Sequence, residues 1–170
     1  ESNYENEDDR IKDFKRSFTI TKEQIGQVKE VLKYLGIPFL ESTTEADPLC
    51  AQIVKQNYAY GVLSEDMDIL TFGADKIIKN IFRKGNIKVI HKLAILKKYD
   101  ITYKQFIIFC IILGCDYHSI NLKCSKKQAL QLAKNYTPGK DIIFENRKIS
   151  NDLINLIFNY FYKNNQYDDL

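Results

Sequence analysis

The sequence GVLSEDMDILTFG, at residues 61–73, sets two carboxylates between two apolar runs. In an extended backbone Asp66 and Asp68 would point the same way, because alternate side chains of a strand share a face. At the end of a buried strand this pair would form half of a divalent-metal site. The alternative is a polar turn between two hairpin-like strands, and this stretch alone leaves both open.

Three further carboxylates also follow apolar runs. Glu45 and Asp47 lie in the sequence TEAD at residues 44–47, and Asp116 ends a longer run. The structural alternatives are a helix capping box between Thr44 and Asp47 for the first pair and a polar helix end for Asp116. Together, five carboxylates at the ends of core elements predict a site for a hard cation, and such sites usually serve phosphate chemistry.

The composition narrows the class of protein. The 170 residues suffice for one domain with its own core, and no apolar run approaches the roughly 18 residues that span a membrane. The four cysteines form no paired metal-ligand pattern, which favours a reduced, intracellular compartment. The net charge is +3, with basic stretches between the acidic clusters. This alternation favours a polyanionic partner, and solvated helix faces are the alternative for any one lysine.

Apolar periodicity and helix caps predict an α/β fold with a mostly parallel sheet flanked by helices. Helices are predicted at residues 21–35, 44–58, 74–82, 102–113, 125–134 and 151–162, and strands at 37–40, 61–63, 69–72 and 87–90. From residue 102 onward only helices are predicted. Functional groups in such folds gather at the carboxyl ends of the strands, where the acidic residues fall.

Four segments, in this order, resemble the flap endonuclease/XPG family of structure-specific 5′ nucleases. They are GIPFL at residues 36–40, TEAD at 44–47, SEDMDILTFG at 64–73 and LGCDY at 113–117. The family carries "GIPY", "EAE", "EDMDxLTFG" and "LGSDY" in the same order and at the same spacing. The resemblance covers residues 19–135 and implies a PIN-like nuclease core.

The resemblance also implies a two-ion site. Such a core holds two Mg²⁺ ions, for which Mn²⁺ can substitute. By matching positions, the ligands of the first ion would be Glu45 and Asp47, and those of the second Asp66, Asp68 and Asp116.

The same resemblance divides the chain. Residues 1–18 would be the tail of the family's helical arch, 19–117 the C-terminal part of the nuclease core, and 118–170 a helix-two-turn-helix-like DNA-binding region with a C-terminal helix. The family's first two catalytic aspartates would lie in an N-terminal part, which is therefore an expected partner. The arch residues that would guide a 5′ single strand are Lys12, Lys15 and Arg16.

A basic segment follows the last acid. Residues 123–129 stand where the family has a "GIGPKRA" turn that grips duplex phosphates and binds potassium. The residues expected to contact the duplex are Lys123, Ser125, Lys126 and Lys127. Both glycines of the family turn are replaced, which argues against the potassium site.

The sequence thus predicts a Mg²⁺-dependent DNA nuclease that cuts near a 5′ flap or resects 5′ ends during replication, repair or recombination. Its expected place is the nucleus, or a cytoplasmic replication site if the protein is viral. No membrane or sliding-clamp partner is assigned. One alternative is a DNA-binding scaffold with impaired catalysis, because Asp47 replaces a longer family glutamate and the turn at residues 123–125 is altered. Another is a ribonuclease of the wider PIN-like group.

Overall fold

The computed structural model of the chain describes residue 11 and residues 19–81, 86–119 and 121–163. The chain divides into two units, residues 1–41 and residues 42–170. The predicted single-strand contacts at Lys12, Lys15 and Arg16 lie outside the described residues. No helix in the described ranges is long and apolar enough to cross a membrane.

Helix α1 (Lys22–Tyr34) lies in the first unit and confirms the helix predicted at residues 21–35. Thr21 begins it with a capping box, in which its hydroxyl accepts from the Gln24 amide and the Gln24 side chain accepts from the Thr21 amide. Residues 37–40 form no strand, so that prediction is wrong. A strand exists through hydrogen bonds to a neighbour, and no ladder to residues 37–40 occurs in the described part of the chain.

The second unit begins with α2 (Ala46–Lys55) and a three-stranded sheet of β1 (Val62–Leu63), β2 (Lys76–Lys79) and β3 (Lys88–His91). β1 pairs with β2 in parallel and β2 pairs with β3 antiparallel. The α/β class is confirmed, but the described sheet is mixed rather than mostly parallel. The eight residues between β2 and β3 suffice for an antiparallel return and are too few for a parallel crossover.

Two elements between the strands differ from prediction. Residues 69–72 were expected to be a strand, but Asp68–Leu70 form a 3₁₀ helix that continues into a turn. Residues 74–82 were expected to be a helix, but β2 lies there. Ile77 of β2 is fully buried between both neighbouring strands, and such pairing decides a strand more strongly than local spacing does.

The rest of the second unit is mainly helical. Its elements are α3 (Lys92–Tyr99), α4 (Tyr103–Leu113), α5 (Lys126–Asn135), β4 (Ile142–Phe144), β5 (Arg147–Ile149) and α6 (Asn151–Lys163). The predicted helices at 102–113, 125–134 and 151–162 are confirmed. Helix α3 and the β4–β5 hairpin were not predicted, and the hairpin corrects the expectation of helices alone after residue 102.

The core of the second unit forms around α4, which packs against α5 and α6. Ile107 and Ile111 of α4 are fully buried, and Ala129 and Ala133 of α5 are equally inaccessible. Burying one isoleucine side chain stabilises a fold by about 1.5–3 kcal/mol. The rigid helix α4 thereby fixes the position of Asp116, which follows its C-terminal end.

Candidate functional site

Glu45 and Asp47 lie at the start of α2. Glu45 occupies the N-cap position, but its side chain makes no capping hydrogen bond. The capping box proposed for Thr44 and Asp47 does not form. The Ser42 hydroxyl instead donates to the backbone carbonyl of Glu45 at 2.8 Å. Neither the Glu45 nor the Asp47 carboxylate therefore serves as a helix cap.

Asp66 and Asp68 follow β1, but their backbone is not extended. The Asp66 amide donates to the Ser64 hydroxyl at 3.0 Å, and the Asp68 amide donates to Asp66 Oδ1 at 2.9 Å. This local turn, rather than the alternation of a strand, sets the directions of the two side chains. The hairpin alternative is also wrong, because the next strand runs parallel to β1.

Asp116 lies just beyond the C-terminal end of α4. Gly114 ends that helix with φ of +107°, a backbone conformation that residues other than glycine rarely adopt. The turn that follows leaves Asp116 exposed.

The pKa values show that the five carboxylates form one electrostatic cluster. Burial first, and then the charges of Asp66 and Glu45, raise the pKa of Asp47. Burial first, and then Asp66, Asp116 and Asp47, raise the pKa of Asp68 to about 6. Like charges disfavour one another's ionised forms. These interactions with Asp47 and Asp68 link Glu45, Asp47, Asp66, Asp68 and Asp116, and we call this set the carboxylate cluster.

The cluster is not a closed ligand set, meaning that its side chains do not by themselves surround a metal ion. Among the described residues, no group of three or more His, Cys, Asp or Glu side chains is arranged to hold a metal ion. The donor chemistry nevertheless fits a hard divalent cation, which prefers carboxylate oxygens and retains water ligands. Burial and mutual repulsion raise the pKa of Asp47 and Asp68, and the charge of a bound cation would offset both effects.

Thiols border the cluster without adding anionic ligands. Burial first, and then the charge of Asp68 and the neighbouring Cys115, raise the pKa of Cys110 to about 12. Burial likewise raises the pKa of Cys50 and of Cys115. Soft metals bind thiolates, so these protonated thiols favour an oxygen-only site.

Two tyrosine hydroxyls converge on the cluster. Tyr117 donates to Glu45 Oε2 at 2.8 Å, and Tyr160 donates to the same oxygen at 3.0 Å. Tyr117 directly follows Asp116 in the sequence, so the motif at residues 113–117 is the signal that could have identified it. No sequence signal pointed to Tyr160, because it lies 115 residues from Glu45.

The predicted duplex-contact segment lies at the start of α5. Lys123 has φ of +52°, and its amide donates to Asn121 Oδ1 at 2.7 Å. Lys123 thus adopts a left-handed backbone conformation, which glycine accommodates most readily. Ser125 caps α5 through Gln128, and the side chains of Lys126 and Lys127 are exposed in its first turn.

Comparison with known proteins identifies similar chains. The family model of the XPG I-region matches residues 36–116. Flap endonuclease 1 of Drosophila mojavensis is 34% identical over 150 residues, which are 86% of this chain and 38% of that protein. The chain therefore spans well under half the length of this relative.

Two solved structures have a similar fold. Flap endonuclease-1 from Methanococcus jannaschii has a TM-score of 0.70 at 22% identity, and the match covers 95% of this chain and 51% of that one. At that identity the likeness shows the fold alone. The catalytic core of Rad2 in complex with DNA substrate has a TM-score of 0.64 at 28% identity, covering 76% of this chain and 41% of that one.

Proposed function

We propose that this chain, which belongs to the flap endonuclease/XPG family of nucleases, is the metal-binding and duplex-binding part of a structure-specific 5′ nuclease. The enzyme would hydrolyse DNA phosphodiesters near a 5′ flap or at a 5′ end. One observation carries the proposal, namely that three separate segments contribute carboxylates to one cluster, in which burial and the charges of the neighbouring carboxylates raise the pKa of Asp47 and Asp68.

The carboxylate cluster would hold two Mg²⁺ ions, or Mn²⁺ in their place. Divalent cations supply positive charge that stabilises the attacking and leaving oxygens of phosphodiester hydrolysis. Glu45 and Asp47 would serve one ion, and Asp66, Asp68 and Asp116 the other. The raised pKa of Asp68 means that this residue gives up a proton when a cation binds near pH 6.

The segment before α5 would position the duplex. Lys126 and Lys127 are exposed beside the N-terminal amides of α5, and both features favour phosphate. Lys123 and Ser125 would orient this turn toward the backbone of the DNA. Lys12, Lys15 and Arg16 would guide the 5′ single strand, and the N-terminal part of the nuclease would supply two further aspartates.

The test is cleavage of a labelled 5′-flap DNA by the full-length protein with Mg²⁺. We expect cuts at the flap junction that disappear in Asp66→Ala/Asp68→Ala. Glu23→Ala/Glu30→Ala is the matched control, because it removes two exposed carboxylates on α1, outside the cluster. Undiminished cleavage by the Asp66→Ala/Asp68→Ala protein would refute the assignment.

A DNA-binding scaffold is the second candidate. It is favoured by the lack, among the described residues, of a closed ligand set and by the shorter acid at Asp47. Tight flap binding without cleavage, in both the unaltered protein and Asp66→Ala/Asp68→Ala, would establish it. Competition between DNA and RNA flaps would separate the nuclease from a ribonuclease.

A further inference from the structure

Glu45 is held by two neutral donors on one of its oxygens. Tyr117 and Tyr160 both donate to Oε2, at 2.8 and 3.0 Å. Each carboxylate oxygen offers two lone pairs, so this pair of donors fills the hydrogen-bonding capacity of Oε2. Two donors on one oxygen also fix the rotation of the carboxylate and direct further ligands to Oε1.

An aromatic cluster fixes the two donors. Tyr117 and Tyr160 have ring centroids 4.5 Å apart, and both rings contact the buried Phe72 and Phe161. Phe72 lies four residues after Asp68, and Tyr117 directly follows Asp116. The rings therefore connect the segments that carry Asp68 and Asp116 to the carboxylate of Glu45.

The packing of α6 holds the Tyr160 hydroxyl in place. Tyr160 lies on α6, the last described helix, next to the fully buried Phe161. The position of its hydroxyl is thus set by the packing of α6 and not by the cluster itself.

We propose that Tyr160, together with Tyr117, is a positioning residue that orients Glu45 so that Oε1 is presented to a divalent cation. Through Tyr160, helix α6 controls the cation affinity of a site formed by residues far away in the sequence. This inference rests on the proposed function, because it assumes that Glu45 is a cation ligand.

The test removes one hydroxyl at a time. Tyr160→Phe and Tyr117→Phe keep both rings, and Tyr136→Phe is the matched control, because its hydroxyl bonds Asn151 and not Glu45. Mn²⁺ binding to the full-length protein is measured from the loss of the free-ion EPR signal. Groups that orient ligands typically change metal affinity about 10–100-fold. We expect Tyr160→Phe and Tyr117→Phe each to weaken binding about tenfold, and Tyr136→Phe to bind as the unaltered protein does.

Cleavage and unfolding distinguish the possible failures. If the inference holds, Tyr160→Phe needs more Mg²⁺ for half-maximal flap cleavage and recovers its rate at saturating Mg²⁺. Unchanged Mn²⁺ affinity in both variants, with or without a lower melting temperature, would overturn the positioning role while the proposed function stands. An unaltered protein that neither binds Mn²⁺ nor cleaves the flap would instead overturn the proposed function, and the inference with it.

Discussion

Replacing Asp68 by asparagine should make the cation-free protein more stable. Burial and the charges of Asp66, Asp116 and Asp47 raise the pKa of Asp68 from 3.8 to about 6, so its ionised form costs the folded state free energy. That rise corresponds to about 3 kcal/mol at about 1.4 kcal/mol per pH unit. Because Asp68 is only half-buried, solvent screening reduces the penalty to about 1–2 kcal/mol.

The sign of the pH dependence follows from the raised pKa. Above about pH 6 Asp68 is ionised in both states, and the folded state bears the whole penalty. As the pH falls toward 3.8 the folded protein binds the proton first, and the penalty disappears. Asparagine has nearly the same shape and no charge, so its stabilising effect should be largest at neutral pH and shrink on acidification.

Urea unfolding in EDTA measures the effect. At about pH 7.5 we expect Asp68→Asn to gain about 1–2 kcal/mol, and at about pH 4.5 less than half of that. Glu30→Gln is the matched control, since Glu30 is exposed in the middle of α1, and we expect it to be neutral. A gain of equal size at both pH values, or a loss at neutral pH, would refute the electrostatic account of the cluster.

Three further predictions concern metal, DNA and folding. Saturation with Mg²⁺ at 100 times its Kd should stabilise the unaltered protein by about 2.7 kcal/mol for each ion bound, and the stabilisation should be smaller in Asp68→Asn, as thermal unfolding with and without EDTA would show. Lys126→Ala/Lys127→Ala should weaken duplex binding for every sequence and reduce the slope of log K against log salt by about 2, as fluorescence anisotropy would show. An unchanged slope would exclude phosphate contacts there. Thr102→Ala removes the cap of α4 and should cost about 1 kcal/mol in urea unfolding, whereas the exposed Thr43→Ala should cost little.

Local signals predicted well those helices that begin with a capping box. Thr21, Thr102 and Ser125 each form a capping box with the glutamine three residues later, and the helices they begin match the predicted ones closely. A cap and its partner lie within one turn, so the sequence contains the whole interaction. Non-local pairing explains the errors at residues 69–82. Ile77 lies in a strand because β1 and β3 both hydrogen-bond to β2. The residues next to Ile77 in the sequence contain no information about that pairing.

For the candidate site too, the sequence predicted some features and missed those that depend on distant contacts. The carboxylates were predicted from the order of their segments, and the structure places them in one electrostatic cluster. The prediction assumed an extended backbone at Asp66 and Asp68, whereas a hydrogen bond from the Asp68 amide to Asp66 Oδ1 sets their geometry. The contact of Tyr160 with Glu45 depends on the packing of α6, which sequence patterns near either residue do not encode.

The most direct test of the central claim is anomalous diffraction from crystals of the full-length protein grown with Mn²⁺. The account predicts two anomalous peaks about 4 Å apart within the carboxylate cluster, one near Glu45 and Asp47 and the other near Asp66, Asp68 and Asp116. Crystals of Asp66→Ala/Asp68→Ala should lose at least one of these peaks. Mn²⁺ peaks elsewhere on the protein, with none at the cluster, would contradict the account.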